Sequence, residues 1–282
     1  MGIILNMWPA DDVGSARNVT PGPERSPRIG SSSTGVARRL ADDWIERYET
    51  MMAGEVPHRA EQIEVVAAVA RQRLAAVREP WLLELGCGPA TLARRLADAL
   101  PDLEVIAVDA DPLLLMLAGA VAHPRVRTVK ATVGRPGWTR RLPCDGGVDL
   151  AVAVAVVHYL GTEDAGRWYR DVAGLLRPGG ALVLADAFLP PCATDSEGAV
   201  SVADPVRTVS DTTALSWTSW WAAVDADPDL RAWRGPAQGP TCDGDALLHT
   251  EEHRAALQAA GFGRIVTRWR RGRHAVLLAE RR

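Results

Sequence analysis

The chain has 282 residues, 47% hydrophobic and 24% charged, enough to bury a large core and outside the disordered and fibrous classes. A formal net charge of -3 with no strongly basic tract argues against tight, phosphate-driven binding to bulk nucleic acid. The cysteines, Cys87, Cys144, Cys192 and Cys242, lack C-x-x-C spacing and read as free thiols in a reducing compartment, with no metal site.

Residues 1–34 are rich in Pro, Gly, Ser and Arg, carry no apolar periodicity and read as a flexible leader. They show neither a signal-peptide pattern nor a myristoylation motif, and no window has an apolar run of membrane-spanning length. The expected location is therefore the cytoplasm. From Val36, Leu40, Trp44 and Tyr48 recur every four residues, the stripe of an amphipathic helix. After Pro57 a second helix buries Ile63, Val66, Ala70, Leu74 and Val77, completing a helical cap over 35–79.

Trp81 to Leu85 is a short apolar strand ending in Gly86-Cys87-Gly88, with a helix carried by Leu92, Leu96 and Leu100 behind it. Further strands are expected at Val105 to Val108, Val126 to Val129, Val148 to Val157 and Ala181 to Ala185, separated by helices; Asp111-Pro112 caps one of these. The alternation predicts an α/β fold, a Rossmann-like doubly wound sheet that is mostly parallel. Near the end, Ile265 to Trp269 and Ala275 to Leu278 flank a short turn, so they pair as an antiparallel C-terminal hairpin. The core is expected at 80–188 and 250–282. Residues 189–249 form an insertion after the fifth strand, placed where ligand-covering segments lie in open parallel sheets.

The most informative stretch is Glu84-Leu85-Gly86-Cys87-Gly88-Pro89-Ala90-Thr91. Glycines after a strand let the chain turn sharply and let a ligand approach the main chain. Thr91 stands where a dinucleotide fingerprint has its third glycine, and Glu84 would repel a pyrophosphate but attract a cation. Asp109 follows about 20 residues later, at a strand end where such folds bind ribose hydroxyls. Together these residues resemble the first motifs of the class I S-adenosylmethionine-dependent methyltransferases of the small-molecule type. Asp149-Leu150, Val156-Val157-His158-Tyr159-Leu160 and Leu176-Arg177-Pro178-Gly179-Gly180 extend that resemblance.

The resemblance implies S-adenosylmethionine as cofactor and S-adenosylhomocysteine as product. Gly86 and Gly88 would pass under the methionine part, Glu84 would meet its amino group and Tyr48 would close over it. Asp109 and Ala110 would border the ribose, and Thr132, Val133 and Val154 would complete the cleft. The text Lys130-Ala131-Thr132 lacks the acidic residue that the family often places near adenine.

His158, at the end of the fourth strand, is the candidate base, with adenine stacking or packing under the insertion as the alternatives. Asp186 would hold an acceptor or a water, or else a loop hydrogen bond. Trp44, Tyr159, Trp217, Trp220 and Trp221 are candidate acceptor contacts, although a helical aromatic stripe is more often the buried face of its helix. His58-Arg59 would meet the cofactor carboxylate or an anionic acceptor, or else sit in a loop. His249 and His253 stand four apart without an acidic or thiol partner, so no metal is expected. Cys192 follows Pro190-Pro191 as a cytosine methylase nucleophile would, but has no companion motif.

Methyl transfer to a small molecule is thus the leading expectation, in a monomer or homodimer. Lys130 is the only lysine, a composition of GC-rich bacteria, which associates the acceptor with specialised metabolism. The competing functions are a non-catalytic S-adenosylmethionine-binding protein, a methyltransferase of RNA or protein, and a nicotinamide oxidoreductase.

Overall fold

A computed structural model describes residues 31–144, 146–189, 216–234 and 247–282. Most of the expected leader, much of the expected insertion, and Cys192 and Cys242 lie outside the described residues. Two N-terminal helices, α1 (Ser31–Glu55) and α2 (Arg59–Leu74), precede strand β1 (Trp81–Leu85). Then α3 (Thr91–Ala99), β2 (Glu104–Asp109), α4 (Pro112–Ala120), β3 (Val126–Lys130) and β4 (Val148–Val154) follow. After them come α5 (Thr162–Leu175), β5 (Leu176–Ala187), α6 (Trp217–Ala226), α7 (Pro228–Arg234), α8 (Thr250–Ala259), β6 (Phe262–Arg271) and β7 (His274–Arg281).

The seven strands form one sheet in the order β3-β2-β1-β4-β5-β7-β6. Pairing is parallel from β3 through β5. It is antiparallel where β7 meets β5 and β6, as the short terminal turn requires. The chain winds outward from β1 to β2 and β3, then returns to place β4 on β1's other side. That reversal opens a crevice at the carboxyl ends of β1 and β4, where open α/β sheets bind ligands.

Both sheet faces are covered, which is why the central strands read as continuous apolar runs. Leu83, Leu85, Ile106 and Leu184 face a core with Trp168, Tyr169 and Val172 of α5 and Leu257 of α8. Leu82, Val105, Val152 and Val183 face Val66, Ala70 and Leu74 of α2 and Leu92 and Leu96 of α3. A third cluster joins α1, α4, α6 and α7 through Trp44, Tyr48, Met51, Leu113, Leu117, Trp220, Trp221 and Leu230.

Several boundaries differ from the sequence reading, among them the following. Helix α1 reaches back to Ser31, the first described residue, inside the stretch read as leader. Strand β4 stops at Val154 rather than Val157: Ala155 takes a left-handed φ of 56°, and a single 3-10 turn follows over Val157–Tyr159. Strand β5 starts at Leu176 rather than the expected Ala181 and takes in Arg177-Pro178-Gly179-Gly180. Edge strand β6 carries Arg264, Arg268, Arg270 and Arg271, charges that discourage pairing with another sheet.

Asp111 caps α4: its carboxylate accepts from the amides of Leu113 (2.8 Å) and Leu114 (3.2 Å), with Pro112 in the first turn. Asp111→Ala should lower stability by about 1 kcal/mol in urea denaturation; an unchanged midpoint would show the cap to be redundant.

Candidate functional site

The turn after β1 is held in place by backbone contacts. The amides of Gly86 and Cys87 both donate to the Val108 carbonyl at 2.9 Å, tying the turn to the end of β2. Gly86 and Gly88 have φ of 69° and 54°, in the left-handed region, and Ala90 shares that conformation at 56°. Space as well as angle demands glycine. A β-carbon at Gly86 would lie 2.4 Å from Val156 Cγ2, and one at Gly88 would lie 2.9 Å from the Tyr48 hydroxyl. Tyr48 of α1 therefore sits directly on the turn.

Glu84, at the inner end of β1, is 5% exposed, and its Oε2 is buried without a hydrogen-bond partner. Burial raises its pKa to about 8, against the opposing pull of the Ala93 amide and the Arg59 charge. Arg59, the first residue of α2, reaches Glu49 at 3.2 Å, while its Nε is buried without a partner. An orphan carboxylate oxygen and an orphan guanidinium nitrogen beside the glycine turn are what an amino acid's ammonium and carboxylate would satisfy.

Asp109 ends β2. Its carboxylate accepts from the Gly88 amide at 2.7 Å and the Asp111 amide at 2.9 Å. Burial raises its pKa to about 6 despite those bonds. Ala110, Thr132, Val133 and Val154 are half-buried at the carboxyl ends of β2, β3 and β4, the edge the sequence reading assigned them. The Thr132 carbonyl accepts from the Arg135 amide at 3.2 Å.

On the other side of the crevice, the buried Asp186 carboxylate at the end of β5 binds the turn after β4. Its Oδ2 accepts from the amides of Val156 and Val157, both at 2.8 Å, and its Oδ1 lies 2.7 Å from His158 Nδ1. Burial raises the acid's pKa, but His158 and these donors outweigh it and the net shift is downward. A charged Asp186 accepting from Nδ1–H puts the neutral imidazole's lone pair on Nε2, the form a base needs. Asp186 thus engages His158 and the loop, whereas the sequence reading weighed an acceptor, a water or a loop bond. Sheet register sets up the link: Val154 pairs with Ala185, so Asp186 stands level with the residues just after β4.

The aromatic candidates separate into two groups. Trp44, Trp220 and Trp221 are buried against one another, with edge contacts of 5.9 Å for Trp44–Trp220 and 4.8 Å for Trp220–Trp221. Tyr48 joins them at 5.4 Å from Trp220, so α6 packs on α1 above the glycine turn. Trp217 and Tyr159 are only half-buried, and Tyr159 lies 3.9 Å from the His158 ring. His253 is buried, with its Nδ1 2.6 Å from the Tyr169 hydroxyl, and burial lowers its pKa to about 4. His249 caps α8, its amide donating to Glu252 at 2.7 Å, and no metal-ligating cluster occurs among the described residues. No helix among the described residues is long and apolar enough to cross a membrane.

Residues 82–180 match the family model described as "Methyltransferase domain". An uncharacterised methyltransferase of Mycobacterium tuberculosis is 31% identical over 109 residues, 39% of this chain and 51% of that protein. A trans-aconitate 2-methyltransferase of Methylobacterium radiotolerans is 30% identical over 58% of this chain and 55% of its own length. The chain therefore spans about half the length of the curated relatives it matches. Among solved structures, an amino pentose methyltransferase from Micromonospora echinaspora, with S-adenosylmethionine bound, shares the fold. Its TM-score is 0.53 at 20% identity, covering 83% of this chain and 96% of that one.

Because Glu84 binds a proton in the fold that it lacks in the unfolded chain, its burial costs stability as pH rises from about 4.5 to about 8. Glu84→Gln should therefore stabilise the ligand-free protein at pH 8.5, by an amount of order a few kcal/mol, and far less at pH 5. Equal thermal shifts at the two pH values would contradict the buried, uncompensated carboxylate.

Proposed function

We propose that the chain, whose residues 82–180 match the methyltransferase-domain model, is a class I S-adenosylmethionine-dependent methyltransferase and that it methylates a small-molecule acceptor, a specialised metabolite. The observation that carries the reading is the orphan Oε2 of Glu84 beside a glycine turn that admits no side chain. When the cofactor is bound, Glu84 would hold its ammonium, Arg59 its carboxylate, and Asp109 its ribose hydroxyls. Tyr48 and α6 cover the turn and keep water out.

Bound cofactor supplies an electrophilic methyl group on a positively charged sulfur. The protein's task is alignment: the acceptor must approach in line while the crevice stays dry. An acceptor hydroxyl or amine also has to lose a proton as the new bond forms. His158 takes it on Nε2, and Asp186 fixes the ring and stabilises the imidazolium. Tyr159 and Trp217, the half-buried aromatics, border the acceptor. A small acceptor agrees with the net charge of -3, and the trans-aconitate methyltransferase is a relative named for a small acceptor.

The test is transfer of radiolabelled methyl to a fractionated bacterial extract. Label is expected in the small-molecule fraction; label confined to protein or RNA contradicts the acceptor class, and tight cofactor binding without transfer to any fraction contradicts catalysis. Glu84→Ala and Asp109→Ala should each weaken cofactor binding about tenfold or more in calorimetry with the circular dichroism spectrum unchanged. His158→Ala should retain cofactor affinity and lose about a hundredfold in turnover. Asp186→Asn should displace the pH–rate profile, and an unmoved profile would remove the positioning role.

A further inference from the structure

Helix α3 presents two faces. Leu92, Ala93, Leu96 and Ala97 pack on the sheet, while Thr91, Arg94, Arg95 and Asp98, spaced i, i+3, i+4 and i+7, line a cleft on another side. Arg38 of α1 and residues Val121, Ala122 and His123, between α4 and β3, close that cleft, whose volume is about 460 Å³. Three guanidinium groups therefore converge on it against one lining carboxylate.

Most of these charges are already matched. Arg95 pairs with Glu64 at 2.6 Å, His123 with Asp98 at 3.2 Å, and Arg38 with Asp42 at 4.0 Å. Arg94 is different. Its side chain forms no ion pair or hydrogen bond among the described residues, and Nε is buried without a partner. Asp42, Asp98 and Glu49 contribute to its field, but none is close enough to bond. The Thr91 hydroxyl, in the same cleft, is likewise buried without a partner.

A half-buried guanidinium and a buried hydroxyl without acceptors both cost free energy that a ligand supplying acceptor oxygens would recover. The planar guanidinium matches the paired oxygens of a phosphoryl group, and a hydroxyl can donate to a third. We propose that the cleft between α1, α3 and the α4–β3 connection binds a small oxyanion of the phosphoryl type, held by Arg94, Thr91 and Arg38. Such a ligand ties α1 to α3 on the outside of the glycine turn.

Thermal unfolding of the intact chain against inorganic phosphate, at constant ionic strength with chloride as the balancing anion, tests this. The wild type should show a Tm that rises with the logarithm of phosphate concentration above a threshold set by the site's affinity, and Arg94→Gln should raise that threshold concentration at least tenfold. Arg38→Gln, altering an exposed side chain, should weaken it severalfold and serves if Arg94→Gln fails to fold. Arg59→Gln should leave the phosphate response in place; loss there with retention in Arg94→Gln puts the anion at the glycine turn and overturns the proposal. A rise that is equal in wild type and both cleft variants marks a general salt effect and also overturns it. Phosphate should bind more tightly than acetate, and the reverse order would overturn the phosphoryl assignment.

Discussion

An ionised carboxylate inside a protein is tolerated only where a partner compensates for lost water, and Glu84 has one oxygen left over. The rest of the crevice is organised around that deficit. The glycine turn brings main chain close to it, Arg59 supplies opposite charge nearby, and Tyr48 seals the outside. In the absence of a cation, the carboxyl group resolves the conflict by holding a proton. A cationic amino group removes the need for that proton, so binding energy and charge state are coupled at one side chain.

Sheet topology explains why these groups meet. Glu84, Asp109 and the turn before His158 come from strands β1, β2 and β4, which are neighbours only because the winding reverses at β1. Asp186 then fastens the β4 side to β5. One carboxylate bonds two strand-end amides at 2.8 Å and the His158 ring at 2.7 Å, so the candidate base is as firmly placed as the glycine turn opposite. The left-handed Ala155 is what ends β4 early enough for those amides to turn toward Asp186.

Period and punctuation made the fold legible. Apolar runs bounded by Gly-rich turns located all seven strands, and Asp111-Pro112 announced its helix cap correctly. Boundaries were lost where tertiary contacts decide them: the end of β4 depends on a carboxylate 30 residues away, which no local pattern encodes. That Glu84, Gly86, Gly88 and Asp109 come together was readable because strand ends in this topology have fixed neighbours. The aromatic residues were less so, since helical spacing cannot tell a pocket wall from a core. Trp44, Trp220 and Trp221 turn out buried in a shared cluster. Arg94 was harder still, because whether an arginine has a partner depends on which helix faces it.

The most direct measurement is calorimetric titration of S-adenosylmethionine at pH 7 in buffers of different ionisation enthalpy, which counts the protons exchanged. With Glu84 at about 8 before binding, the account predicts release of close to one proton as the ammonium docks, abolished in Glu84→Gln. Tight binding with no proton released, or the same release from Glu84→Gln, would contradict it.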